Sequence, residues 1–191
     1  MDEEESLDPD EMNGLVTAAK NHDAAALGGL CEHFYPKVYR FMLSRVRRTE
    51  DAEDMASEVC VRVVESLDKQ NGSFAAWVFR IARNLVTDTY RRAAVRTEVA
   101  LSDELIETRA GSEGLEDLPI LPHQLEPALD GLTTDQREVV HLRFVEGLSA
   151  VEIGEIQGRS AGAVRGIQFR ALENLRDSLL VPVGGSHEQR N

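Results

Sequence analysis

The chain has 191 residues, a formal net charge of −13, 42% hydrophobic residues, 5% aromatic residues and 29% charged residues. That length fits one large domain or two small ones, and few aromatics among abundant Ala, Leu, Val, Glu and Arg favour a helical protein over a β-rich one. No apolar run approaches the roughly 20 residues of a membrane-spanning helix. The acidic start MDEEESLDPDEMN is the reverse of a basic-then-apolar secretory signal, and two cysteines are too few for a disulfide framework.

A cytoplasmic protein without membrane insertion is therefore expected. The acidity is uneven: residues 1–13 carry −7, residues 14–96 carry +3, residues 97–135 carry −9 and residues 136–191 are neutral. A globally acidic chain still binds nucleic acid when its bases cluster on one face. The organisation expected is an acidic, disordered tail over 1–13, a helical domain over 14–96, an acidic linker over 97–122, a second helical domain over 123–181 and a C-terminal tail over 182–191. The linker assignment rests on Gly111, Gly114, Pro119 and Pro122 among acids, without a sustained helical period. No strand-like alternation appears, so the fold class is all-α.

In chain order, Asp23 is placed to cap a helix through LGGLCEHFYPKVYRFMLSRV, which Pro36 would kink or interrupt. A second helix follows in TEDAEDMASEVCVRVVESL, with Thr49 as N-cap and acids in its first turn. Its apolar stripe is Met55, Ala56, Val59, Cys60, Val63, Val64 and Leu67; Asp54, Glu58, Val61 and Arg62 lie opposite. Cys31 and Cys60 fall in apolar stripes and are expected as buried thiols, with no metal-ligand spacing.

Ser73 caps a third helix whose core face is Phe74, Trp77, Val78, Ile81, Ala82 and Leu85. Arg80, Arg83, Asn84, Thr87 and Arg91 share another face, bordered by Trp77 and Tyr90. Guanidinium groups pair with phosphates and aromatic rings stack on unpaired bases, so this face is a candidate nucleic-acid track.

In the second domain, TTDQREVVHLRFVEG supplies Val139, Val140, Leu142 and Phe144 to the apolar centre. Ser149 and Glu152 form a capping box for a helix over Ala150–Gln157, Gly158 suits a left-handed C-cap, and Ser160 caps a second helix. On that helix Val164, Ile167, Ala171, Leu175 and Leu179 form one stripe. Arg165, Gly166, Phe169, Arg170, Glu173 and Arg176 lie opposite. Two helices, a tight turn and exposed arginines make a helix-turn-helix whose second helix fits the major groove. The arginines of that face, Arg165, Arg170 and Arg176, can bond to guanine edges or to phosphates, Phe169 can pack on a thymine methyl group, and the helix N-terminus at Ser160, with Arg159, suits a phosphate. No nucleotide loop, zinc set or nucleophile constellation appears, so no catalytic residue, cofactor or metal is expected.

Taken together, TEDAEDMASEVCVRVVESLDKQNGSFAAWVFRIARNLVTDTYRR resembles region 2 of bacterial extracytoplasmic-function (ECF) sigma factors. LTTDQREVVHLRFVEGLSAVEIGEIQGRSAGAVRGIQFRALENLRDSL resembles their region 4, in the family's order and spacing. The resemblance implies a subunit that binds core RNA polymerase through the β′ coiled coil and the β flap and directs promoter-specific initiation. Asp54, Glu58, Val61 and Arg62 would meet the polymerase. Asp68 to Ser73 would edge a base pocket, while Trp77, Arg80, Arg83, Asn84 and Arg91 hold the melted minus-ten strand. Region 4 would read the minus-thirty-five duplex through Arg165, Phe169 and Arg170, with Arg159 and Arg176 on phosphates. An anti-sigma factor is a further partner the resemblance brings. Gly166 and Ile167 stand where the family often has Ser-Arg, so the promoter sequence is not carried over. The region 4 pattern is shared with response-regulator activators, and a duplex-binding regulator of that type is the alternative.

Overall fold

The computed structural model describes residues 7–46, 48–99 and 125–180. Every element among them is helical. The chain divides into two compact units, one of residues 1–114 with 155–158 and the other of residues 115–154 with 159–191; the helix that contains 155–157 is taken whole with the second.

The first unit opens with α1, Pro9–Lys20. Asp8 and Glu11 form a capping box at its start, with Pro9 at the first helical position. The disorder expected across residues 1–13 is therefore corrected from Asp8 onward, and the boundary expected at residue 14 falls inside a helix. The local cap offsets the acidic composition by satisfying the first amides and placing carboxylates at the positive end of the helix dipole. Residues 1–6 lie outside the described residues.

After α1 the chain turns through a six-residue closure, with the Asp23 amide donating to the Ala18 carbonyl and the His22 amide to the Ala19 carbonyl. His22 adopts φ +65 there, a left-handed position that glycine usually fills. Asp23 then caps α2, Ala24–Leu43, accepting from the Ala25 and Ala26 amides. Pro36 does not interrupt this helix. An interior proline costs about 3 kcal/mol. Leu30, Phe34, Val38 and Phe41 are each 5% exposed or less, and at about 1.5–3 kcal/mol per buried side chain they outweigh it.

The third helix, α3, spans Thr49–Ser66. Thr49 is its first helical residue, not its cap: Arg48 holds the cap position and makes no side-chain capping bond. Ala52, Ala56, Val59 and Val63 form the buried stripe; their small size lets α3 lie close to α2 and α4. Val64, expected inside, is exposed. A short 3-10 turn over Leu67–Lys69 leads to α4, Phe74–Val99. Ser73 caps it, its hydroxyl accepting from the Ala76 amide. The linker expected from residue 97 therefore begins as helix, and residues 100–122 lie outside the described residues. Phe34, Phe74, Phe41 and Phe79 pair edge-on or tilted, at 5.2 and 5.4 Å between centroids, and close the core where α2 meets α4.

The second unit contains α5 (Leu125–Asp130), α6 (Thr134–Val140), α7 (Ala150–Gln157) and α8 (Ala161–Leu180). Thr133 and Gln136 form a capping box for α6. A π-helical turn over His141–Val145 follows. It puts Leu142 in the core. Phe144, expected beside it, is 56% exposed, because two residues on is about 200° around the helix. Ala128, Leu132, Ala171 and Leu175 form the cluster joining α5 to α8. Leu179, expected in the same stripe, is exposed. The tail at 182–191 lies outside the described residues.

Candidate nucleic-acid interface

The first turns of α4 are enclosed on all sides. Ala76, Trp77, Val78 and Phe79 are each no more than 6% exposed. Trp77 tilts against Phe74 at 5.7 Å. The expectation that Trp77 borders the cationic face as a stacking ring is thus corrected: its indole is in the core. Helical periodicity places residue 77 both in the stripe of Phe74 and Ile81 and near Asn84, and the packing of α2 and α3 on α4 decides for the core.

Beyond Phe79 the helix emerges. Arg80, Asn84, Thr87, Arg91 and Arg92 are exposed, and Arg83 is partly buried beside them. The Thr87 hydroxyl donates to the Arg83 carbonyl, so its side chain lies along the helix and leaves the face to the longer residues. Arg91 stands 3.9 Å from Asp88 with its side chain 75% exposed. A pair that open contributes little and is readily exchanged for a phosphate. Tyr90 is also exposed, and its hydroxyl donates to the Arg45 carbonyl, which fixes the ring between α4 and the end of α2.

The connection before α4 is held from inside. Gln70 is buried, and its side-chain amide donates to the Gly72 carbonyl at 2.8 Å. Lys20, at the end of α1, donates to the Gln70 carbonyl at 2.7 Å. Gly72 takes φ +73, which a side chain would resist. Asp68, Lys69 and Asn71 are left exposed on the outer side. Lys20 and Gln70 were not visible as positioning residues in the sequence. Gln70 offered one faint signal, a polar residue between turn-forming neighbours. Lys20 offered none, since its partner is fifty residues away.

On α3, Asp54, Glu58 and Val61 are exposed together, Val61 by 50%. Arg62 donates to Glu58 at 2.8 Å, which orients both side chains along the helix.

In the second unit the capping box stands as expected. The Ser149 amide donates to the Glu152 carboxylate at 2.8 Å, and the Glu152 amide donates to the Ser149 hydroxyl at 3.2 Å. Gly158 takes φ +66, and the Arg159 amide donates back to the Gly154 carbonyl at 2.9 Å. A Cβ on Gly154 would sit 2.5 Å from the Arg159 carbonyl oxygen, so the tight turn requires glycine at this point. Arg143 donates to the Leu148 carbonyl at 2.9 Å and ties the π turn to the start of α7. Ser160 caps α8, accepting from the Ala163 amide.

From that start, Val164, Ile167 and Ala171 face inward, while Arg165, Phe169 and Arg170 are exposed. Phe169 is 63% exposed. An aromatic ring left in water beside two arginines suits a ligand with both phosphate and methyl groups. Arg176 points to solvent, 4.0 Å from Asp177. Arg159 is engaged: its guanidinium pairs with Asp135 of α6. At that half-exposed position the pair contributes about 0–1 kcal/mol, so a phosphate contact by Arg159 must exchange it. Among the described residues no group of three or more metal-ligating side chains comes together. None of the described helices is long and apolar enough to cross a membrane.

Comparison with known proteins covers both units. The Sigma-70 region 2 family model matches residues 30–96, and the Sigma-70 region 4 model matches residues 128–177. The ECF RNA polymerase sigma factor ShbA of Streptomyces griseus is 38% identical over 179 residues, covering 86% of this chain and 93% of that protein. The ECF RNA polymerase sigma factor BldN of Streptomyces coelicolor is 33% identical over 174 residues; the match takes in 88% of this chain but 66% of that longer relative. Among solved structures, CnrH in complex with the cytosolic domain of CnrY superposes with a TM-score of 0.63 at 27% identity, covering 86% of this chain and 94% of that one.

Proposed function

This chain belongs to the ECF sigma factors, and from that premise we propose that its two cationic faces divide the promoter between them, α4 holding the melted minus-ten strand and α8 reading the minus-thirty-five duplex. As a sigma factor it partners core RNA polymerase and promoter DNA in transcription initiation. The observation that carries the division of labour is chemical. Each face sets arginines around a different second chemistry: amide and hydroxyl groups on α4, an exposed phenyl ring on α8.

On α4, Arg80, Arg83 and Arg91 neutralise backbone phosphates while Asn84 presents donors and an acceptor to a base edge. The Asp68 to Ser73 connection, fixed by Gln70 and Lys20, forms the rim of a base pocket. Extruding a base costs a few kcal/mol. With Trp77 in the core, that cost is offset by phosphate neutralisation and the pocket's hydrogen bonds rather than by an indole stack. The residues thus capture a melted strand, and no covalent step is involved. The chain is non-enzymatic in this account and acts in the cytoplasm, where the polymerase and its templates are.

On α8, Arg165 and Arg170 reach guanine edges, Phe169 packs on a thymine methyl group, and Ser160, Arg159 and Arg176 hold the phosphates. The α3 face of Asp54, Glu58, Val61 and Arg62 meets the polymerase β′ coiled coil, and the second unit meets the β flap. The helices α1 to α4 and α5 to α8 serve as the two promoter-binding modules, and the acidic segment between them as the tether. CnrH was solved in complex with the cytosolic domain of CnrY; for this chain, a partner protein that covers the α3 face would withhold it from polymerase.

Run-off transcription with purified core polymerase on fragments of the source genome tests the proposal. Discrete transcripts are expected that disappear when Arg80 and Asn84 are replaced by Ala, while closed complexes of holoenzyme on duplex promoter still form. Unaltered melting by that variant would overturn the α4 assignment.

A further inference from the structure

Cys31 of α2 and Cys60 of α3 belong to neither promoter face. Expected as buried, both are half-buried free thiols. With Glu32, Tyr35, Pro36 and Ser57 they line a solvent-open, mostly apolar groove of about 470 Å³ along the α2–α3 seam. Each thiol interacts with the other across the α2–α3 seam. Two thiols from adjacent helices that line one solvent-open groove differ from an isolated core cysteine.

We propose that Cys31 and Cys60 form a redox-active dithiol that small-molecule disulfides convert into an intramolecular α2–α3 disulfide. Either thiol can open the exchange, Cys31 first or Cys60 by the same steps. The Cys31 thiol loses its proton to solvent, and the thiolate attacks one sulfur of the external disulfide. That S–S bond breaks, one small thiol leaves, and a mixed disulfide remains on Cys31. Cys60 then gives up its proton, attacks the Cys31 sulfur and displaces the second small thiol. The two protein thiols are oxidised together, and one external disulfide is reduced to two thiols.

Burial pushes both thiols up, Cys60 to about 11, and the Glu32 carboxylate further disfavours a Cys31 thiolate. Glu32 and Tyr35 are the titratable groups lining the groove beside them. The thiolate is the nucleophile. Exchange is therefore slow at neutral pH and rises about tenfold per pH unit towards pH 9.

The test treats the full chain with oxidised glutathione at about pH 8.5, quenches with acid, and reads intact mass and peptide maps. The wild type should lose two hydrogen atoms, carry no lasting adduct, and recover both thiols with dithiothreitol. Cys60→Ser should accumulate glutathione on Cys31, and Cys31→Ser on Cys60, each as a lasting adduct that the wild type does not carry. Stable glutathione on both wild-type cysteines would contradict the proposal. So would cross-linking between chains alone, or thiols inert in the native protein but reactive in urea.

Discussion

Arg165 and Arg159 show how one residue type divides into two roles on a single motif. Arg165 is exposed on the outer side of α8 with Phe169 and Arg170, whereas Arg159 is paired with Asp135. Arg165→Ala should weaken binding to the cognate minus-thirty-five element by about 1–3 kcal/mol and relax the base preference at one position. Holoenzyme affinity for a panel of single-base promoter variants checks this, and an unchanged preference would remove Arg165 from base readout. On α3, Asp54→Arg reverses a charge on the exposed face and should lower affinity for core polymerase by about tenfold or more; competition against a reference sigma factor measures it. The cysteines carry a pH prediction of definite sign. Their native pKa values lie above the unfolded value of 9.0, so the native state holds protons that the unfolded state releases. Stability is complete below pH 9 and falls as pH rises from 9 towards 11. Urea melts across that range should show the loss, and Cys60→Ser should diminish it. The exposed residues of α3, α4 and α8 were legible from the sequence because a charged side chain at a polar helical position has nowhere else to go. Trp77 was legible only in part: the helical period put it both on the core face and at the border of the cationic face, and its burial against Phe74 bears out the first and removes the second.

At the scale of the element, the caps were the most legible features and the bends the least. Asp23, Ser73, the Ser149/Glu152 box and Gly158 all act within about three residues of themselves. The ends of α7 and the start of α8 therefore followed from a short stretch of sequence. The cap of α3 moved by one residue, since Thr49 enters the helix without a bond to replace. α1 was missed because acidic composition outweighed a capping box that was present in DPDE. Pro36 was over-weighted for the opposite reason: the helix that carries it is held by tertiary packing on both sides. Gly154→Ala should cost about 1–3 kcal/mol in thermal or urea unfolding of the second unit, because the new methyl group meets backbone rather than a movable side chain. His22→Gly should act in the other direction. The turn between α1 and α2 already has the hydrogen bonds of a glycine-type C-cap, and relief of a left-handed non-glycine residue is worth about 1 kcal/mol. A fall in stability at that position would contradict the turn's assignment.

For the whole molecule, the arithmetic of charge misleads unless it is resolved along the chain. A net charge of −13 argues against nucleic acid only if it is spread evenly, and it is not. The acids concentrate in residues 1–13 and 97–135, while the segments of α4 and α8 present arginines outward. The acidic parts repel DNA wherever they approach it, which favours binding only in complexes that seat both cationic faces at once. It follows that the free chain should bind duplex promoter weakly and that polymerase is needed to assemble the full contact. This also separates a sigma factor from the duplex-binding regulator that the helix-turn-helix alone would allow. The decisive measurement is permanganate footprinting of a promoter with the chain alone, with core polymerase alone and with both. Reactive, unpaired thymines at the minus-ten element only when both are present, and lost with Arg80→Ala/Asn84→Ala, are the predicted result. Protection of duplex by the chain alone, with no melted bases when core polymerase is added, would contradict the account.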